Sequence, residues 1–437
     1  MSWNRASIPT LAVLLSLLAF APHVFAQQPV GLSVQKSVDK RVLLAVPTLA
    51  TVPGQEALGS QMAEVIANDL SFSGLFRILP PTQYPAGFTG LTSDPKQINF
   101  QLWQGTPALY LVYGYVSAEQ GNIVAQCFLF DIRAANYVVG KKLTSTQDAW
   151  RLVAHEFSDE VVKFIDGTPG VATSRICFSG GEPRKKEIYV ADYDGANLRQ
   201  VTKHGSVSIL PAFSPDGNKI AYVSYKDRYQ YIYVVELATG KSTPLSREVG
   251  MNSAPVWHPN GRQLALVLSK DANSEIYMVN SDGTGKRRLT NDKSVDSSPA
   301  FSPDGSQIAF VSDRGGKPQI YAMDSSGGNV RRLSTQPGKF YDPVWSPDGK
   351  SIAYVLENSE GFEIWMMGAD GSSPKQLTSS PGGNENPTWS ADSRHVMFAS
   401  TRTGRSQLWT ATISSGENRA VPGITVGAQG PDWGPRR

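Results

Sequence analysis

PAFSPDGNKIAYVS, residues 211–224, decides the fold, because the chain spells it repeatedly. Its kin are PVWHPNGRQLALVLS from Pro255, PAFSPDGSQIAFVS from Pro299, PVWSPDGKSIAYVL from Pro343 and PTWSADSRHVMFAS from Pro387. Each start lies 44 residues after the last, and PDWG at Pro431 falls on the same period. An aromatic column follows suit: Phe213, Trp257, Phe301, Trp345, Trp389, Trp433. A second column runs Ile176, Ile220, Leu264, Ile308, Ile352, Val396, and a third Ile188, Ile232, Ile276, Ile320, Ile364, Leu408. A fourth runs Val201, Leu245, Leu289, Leu333, Leu377, Val421, and no insertion interrupts any of them.

Each unit reads as four short strands. SPDG is the turn leaving the first, since Pro presets φ, Asp bonds its own backbone and Gly accepts φ > 0. The second strand is apolar at consecutive positions, as in Ile308-Ala309-Phe310-Val311, which means burial on both faces. Four strands per 44 residues point to a β-propeller. Columns two to four have six members each, so six blades are expected. The first blade, from about Ser174, has no PAF-type strand before it, and the surplus segment 431–434 fits that vacancy. The ring is thus expected to close through its C-terminal strand, which removes a free sheet edge.

Residues 27–165 lack the repeat. Strands are expected at 41–47, 75–79, 108–116, 123–132 and 137–143, with Gly121-Asn122 turning between the third and fourth. Helices are expected at 55–72 (Leu58, Met62, Val65, Ile66, Leu70) and 149–165 (Val153, Phe157, Val161, Phe164). The expected organisation is a signal peptide at 1–26, an extended partner-binding segment at 27–38, an α/β domain at 39–166 and a propeller at 167–437. The signal peptide rests on Arg5, the apolar run Leu11–Phe20 and the small residue Ala26, after which cleavage is expected. That run is too short to span a bilayer, so the product is expected to be exported and not membrane-inserted.

At 437 residues the chain exceeds one ordinary core. Its formal net charge of +3 gives no electrostatic case for nucleic acid. Cys127 and Cys177 both sit in apolar, strand-like runs and read as buried hydrophobes, while the exported compartment would allow a disulfide. No G-x-S-x-G elbow, phosphate loop or dinucleotide fingerprint occurs, and HEFSD at 155–159 lacks the second histidine of a zinc motif. Catalytic residues, metal and cofactor are therefore expected to be none. What varies between repeats is the loop entering each PAF strand, and such loops ring one mouth of a propeller channel. Loops on a rigid scaffold are where binding resides. The candidates are Leu210, Met251, Asn252, Ser253, Ala254, Asp296, Ser297, Ser298, Tyr341, Asp342, Glu385 and Asn386.

Signal peptide, α/β domain, six FSPDG-type repeats and the PDWGP stub together resemble the TolB family, periplasmic components of the Tol–Pal system of Gram-negative envelopes. The join AWRLVAHEFSDEVVKFIDGTPGVATSRI (149–176) is similar as well. The resemblance implies a monomeric, non-enzymatic adaptor that serves outer-membrane constriction at division. It implies that the propeller mouth binds the lipoprotein Pal and the mature N-terminus binds TolA, with other outer-membrane proteins as further partners. Where the family often has histidine, three residues before the alanine matching Ala254, this chain has Met251, and the polar position one blade on is Ser297. In the segment 27–38, Leu32, Val34 and Val38 alternate with polar residues, which suits adding a strand to a partner's sheet. Lys36 stands there in place of the acidic character expected of the family. Two other readings remain open at this stage: an exported propeller hydrolase or lyase with substrate in the channel, and a sugar- or ion-binding propeller.

Overall fold

The computed structural model describes residues 40–359 and 361–437. The expected signal peptide and the segment carrying Leu32, Val34 and Val38 lie outside the described residues. The N-terminal sheet consists of β1 (Val42–Ala45), β2 (Ala50–Thr51), β3 (Phe76–Ile78), β4 (Tyr110–Glu119), β5 (Asn122–Asp131) and β6 (Asn136–Thr146). Their order is β3-β1-β4-β5-β6, with β2 beside β4. Side chains along β4 and β5 alternate between two faces. Val112, Val116, Ala125, Cys127 and Leu129 meet helices α1 (Glu56–Phe72) and α3 (Trp150–Asp166) through Met62, Ile66, Phe157 and Val161. Leu111, Tyr113 and Phe130 face the other way, under a covering segment that includes α2 (Phe100–Gln104) and contributes Trp103.

The hairpin turn sits one residue earlier than expected. Gln120 and Gly121 are its centre, with φ of 50° and 78°, and Glu119 pairs directly with Asn122. A two-residue primed turn needs φ > 0 at both central positions, so Asn122 becomes the first residue of β5. Helix α2 and strand β2 were missed because they are too short to show a period. Helix α3 stops at Gly167, whose left-handed φ of 79° lets its N–H reach Lys163 O at 2.8 Å.

Six four-stranded sheets follow. Blade 1 runs, from the axis outward, Ala428–Arg436, Ser174–Glu182, Lys185–Asp192 and Arg199–Gln200. The ring is therefore closed by the C-terminal strand, which is longer than the expected 431–434 and pairs Asp432 with Cys177 and Trp433 with Ile176. The apolar second strands now have a cause. In blade 4, Ile308 and Phe310 pack on Met278 and Leu289 of blade 3, while Ala309 joins Ile352 and Tyr354 of blade 5. Successive residues thus serve the two neighbouring blades. Indoles of the aromatic column tie blades together: Trp257 donates to Ala212 O and Trp389 to Val344 O, each at 3.1 Å. In the SPDG turn of blade 4, Asp304 accepts from Ser302 Oγ and from the Ser306 N–H, which hold its carboxyl down at about 2, and Gly305 takes φ 73°. Cys127 and Cys177 are buried free thiols. Among the described residues no helix is long and apolar enough to cross a membrane.

Removing residues 430–437 takes most of the inner strand from blade 1 and exposes the Ser174–Glu182 edge. We expect the melting temperature to fall by more than about 10 °C, because one cut breaks a closed ring of cores. An unchanged melting curve would contradict ring closure as a source of stability.

Candidate functional site

The innermost strand of every blade is broken at the same place. Leu210, Ala254, Ser298, Asp342, Asn386 and Gly430 have φ of 52°, 45°, 47°, 47°, 54° and 55°. They are spaced 44 residues apart, each just before the proline of its repeat. The pairing register with the second strand shifts across each of them. The extra residue is a β-bulge, and the proline after it fixes the chain on its way out. Only blade 1 uses glycine. The other five hold a side chain in the left-handed region, which costs on the order of 1–3 kcal/mol apiece and which the surrounding sheet must impose.

These six residues ring a cavity of about 340 Å³ at one mouth of the channel. Its wall is of two kinds. Leu210, Met251, Ala254 and Gly430 form an apolar arc. Ser298, Asp342 and Asn386 form a polar one: Ser298 Oγ–H donates to Asp342 Oδ1 and Asn386 Nδ2 donates to Asp342 Oδ2, both at 3.0 Å. Three blades are joined by one carboxylate. Part of Asp342 faces the channel, but its carboxyl sits deep, and loss of water raises its pKa against those two hydrogen bonds. Glu385 on the rim is raised too, first by desolvation and then by the charge of Asp342.

Eight of the expected residues line this cavity: Leu210, Met251, Ser253, Ala254, Ser297, Ser298, Asp342 and Asn386. Asn252 and Asp296 are instead fully buried. Asn252 accepts from Ser246 Oγ at 2.8 Å and donates to Glu248 O, and Asp296 is bonded by Arg314 Nη2 at 2.9 Å. They belong to a column with Ser208, Phe340, Asn384 and Ala428, all no more than 1 % exposed, which fills the slot behind the bulge in every blade. Their side chains are therefore not offered to the mouth. Tyr341 lies off the cavity wall, its hydroxyl bonded to Glu357 at 2.9 Å.

Sequence reasoning missed Asp432. The residues after the prolines, Ala212, Val256, Ala300, Val344, Thr388 and Asp432, form one column, and Asp432 is its single charge. That contrast was the available signal. Asp432 borders both the mouth cavity and the opposite end of the channel. Oδ2 accepts the Phe213 N–H at 2.7 Å, and burial pushes its carboxyl up to about 6. A larger groove of about 970 Å³ lies in the N-terminal domain between α1 and the strand ends, walled by Leu49, Ala63, Ile78, Tyr84 and Phe88. Glu56, Glu64 and Ser60 also border it, so the wall is mixed, and no histidine, cysteine or lysine stands among them.

Because the folded Asp432 ionises above its ordinary 3.8, the unfolded chain gives up that proton first. Stability should therefore fall as pH rises from about 4 to about 6 and then level off, by up to about 3 kcal/mol. Asp432→Asn should lose this component and melt higher than the parent at neutral pH. Denaturant titrations across that range check it; an equal pH dependence in both proteins would contradict the assignment.

Comparison with known proteins fits this architecture. Residues 162–437 match the TolB beta propeller domain, and residues 30–138 match the TolB amino-terminal domain. The chain is 34 % identical over 233 residues to the Tol-Pal system protein TolB of Jannaschia sp. (strain CCS1), covering 52 % of each. It is 34 % identical over 227 residues to the protein TolB homolog of Chlorobium chlorochromatii (strain CaD3), covering 52 % of this chain and 51 % of that one. The match thus spans about half the length of these curated relatives. The crystal structure of TolB from Acinetobacter baumannii superposes with a TM-score of 0.81 at 26 % identity, covering 91 % of this chain and 97 % of that one. With both domain models matched in order and the whole architecture shared, the chain belongs to the TolB family.

Proposed function

We propose that this protein is a non-enzymatic periplasmic adaptor of the Tol–Pal system. It holds the lipoprotein Pal at the propeller mouth and engages TolA through residues 27–38, and so supports outer-membrane invagination at division. The observation that carries this reading is the ring of bulged residues. Five non-glycine side chains are held in strained backbone around one mouth, and their identities differ while the surrounding framework repeats. Strain of this kind collects where a surface is preorganised for a ligand.

The chemistry of the wall describes the partner. The arc of Leu210, Met251 and Ala254 suits an apolar tip. Asp342 and Glu385 call for hydrogen-bond donors or a cation beside it, so the docking surface of Pal should offer both. The titratable groups lining the cavity are Asp342 and Asp432, whose carboxyls are engaged by neighbours, and no histidine, cysteine or lysine stands beside them. With both carboxyls held by neighbours and no histidine beside them, that composition supports a binding surface over a hydrolytic or eliminating site.

Purified protein should retain Pal in a pull-down. A variant with Met251→Arg, Ser253→Lys and Ser297→Arg, all on the cavity wall, should lose at least about 100-fold in affinity while melting as the parent does. Deleting residues 27–38 should abolish TolA retention and leave Pal retention intact. No Pal retention by the parent, or equal retention by the triple variant, would overturn the assignment of the mouth.

A further inference from the structure

Among the described residues, His155 is the one histidine buried between opposite charges from both sides of the domain junction. It lies on α3, fully buried, with Nδ1 2.8 Å from Asp69 Oδ2 on α1. Asp69 Oδ1 accepts the hydroxyl of Tyr193, a blade 1 residue, at 2.6 Å. Nε2 of His155 has no hydrogen-bond partner, although Asp192 and Asp194 of the same blade 1 loop each bring a carboxylate oxygen within 4.8 Å of one ring nitrogen. Those two carboxylates are already taken. Arg151 donates to Asp194, Arg437 donates to Asp192 at 2.7 Å, and Asn197 donates to the other oxygen of Asp192 at 2.6 Å. They are therefore not free to hold a metal ion.

We propose that protonation of His155 latches the N-terminal domain onto blade 1, making the domain junction a pH-sensitive contact. The charges facing it are these. Asp69 comes from α1; Asp159 and Arg151 come from α3, one turn away on either side; Asp192, Asp194 and the hydroxyl of Tyr193 come from blade 1; Arg437 follows directly on the C-terminal strand. Four carboxylates thus meet two guanidiniums, and an imidazolium supplies the third positive charge at the centre. Asp159 is spent on the linker, accepting the N–H groups of Ala172 at 2.8 Å and Thr173 at 3.0 Å. Asp69 has its two oxygens on His155 and Tyr193. With the ring neutral, Asp69 loses its charged donor and the blade 1 carboxylates of Asp192 and Asp194 lose the positive charge beside them.

Burial alone would lower the pKa of His155. The charge and hydrogen bond of Asp69, with the charge of Asp194, outweigh burial and the opposing Arg151, so the group ends above its ordinary 6.5. For a histidine raised in this way, the stabilisation is complete below its unfolded value and is lost as pH rises through the folded one. Acid should therefore tighten the junction and mild base should loosen it.

The test reads the ring and the junction separately on the intact chain. Heteronuclear NMR of the imidazole nitrogens, assigned with His155→Gln, should show His155 titrating above the free value of about 6.5. Calorimetry from about pH 5 to about pH 9 should show the parent losing at least about 2 °C of melting temperature relative to H155Q across that same midpoint. Asp69→Asn, which keeps a neutral acceptor for the ring, should move the midpoint of His155 down. A ring midpoint below the free value, or a melting profile of H155Q parallel to the parent, would overturn the proposal. If H155Q does not fold, the ring titration in the parent and in Asp69→Asn decides alone.

Discussion

Pairing of the C-terminal strand with blade 1 is the contact on which the rest depends. Ala428–Arg436 is the inner strand of a blade whose other strands begin at Ser174, so the last residues close what the first blade leaves open. The same strand runs from one function to another. Gly430 completes the bulged ring at the mouth, and Asp432 enters the channel. Trp433 then packs near Phe72 of α1 and donates to Ser174 Oγ at 2.7 Å. Arg436 bonds Pro169 O at 2.8 Å, and Arg437 bonds Thr173 O at 3.0 Å, so the strand ends by fastening the interdomain linker. Ring, mouth and domain junction share one nine-residue strand, Ala428–Arg436, and the arginine that follows it.

Two layers of sequence follow from this arrangement. The residues that repeat are those that meet a neighbouring blade, and each blade presents the same surface to the next. The residues that differ face the channel mouth, where the apolar cores between blades do not fix their identity and contacts such as Ser298–Asp342–Asn386 belong to particular blades. Strain marks the border between the layers. Each inner strand spends one residue on a bulge, and the residue held there is a different one in every blade. A backbone forced into the left-handed region needs a rigid frame, and the frame is the repeating layer.

Fold and blade number were legible because a packing problem solved six times leaves six copies of its solution. Ile176 to Val396 and Ile188 to Leu408 are core columns, buried in every blade. The mouth was legible by subtraction, and eight of twelve candidates line it. Asn252 and Asp296 were taken in because polar residues in a variable loop read as exposed. Yet their column also holds Phe340 and Ala428, and that mixture is what a buried slot with room for a satisfied polar group looks like. Asp432 escaped because it belongs to the framework segment PDWG, where attention rested on closure. The His155 network was illegible because its members lie far apart: Asp69, His155 and Tyr193 come from two domains, and no spacing in the chain announces their meeting.

The central claim of the proposed function is that Pal docks at the mouth ringed by the bulges and not at the face of the SPDG turns. A photo-crosslinking amino acid placed at Ser297, and separately at Asp304 on the opposite face, tests this directly. The account predicts a covalent adduct with Pal from position 297 and none from position 304. An adduct from 304 alone, or equal adducts from both, would contradict it.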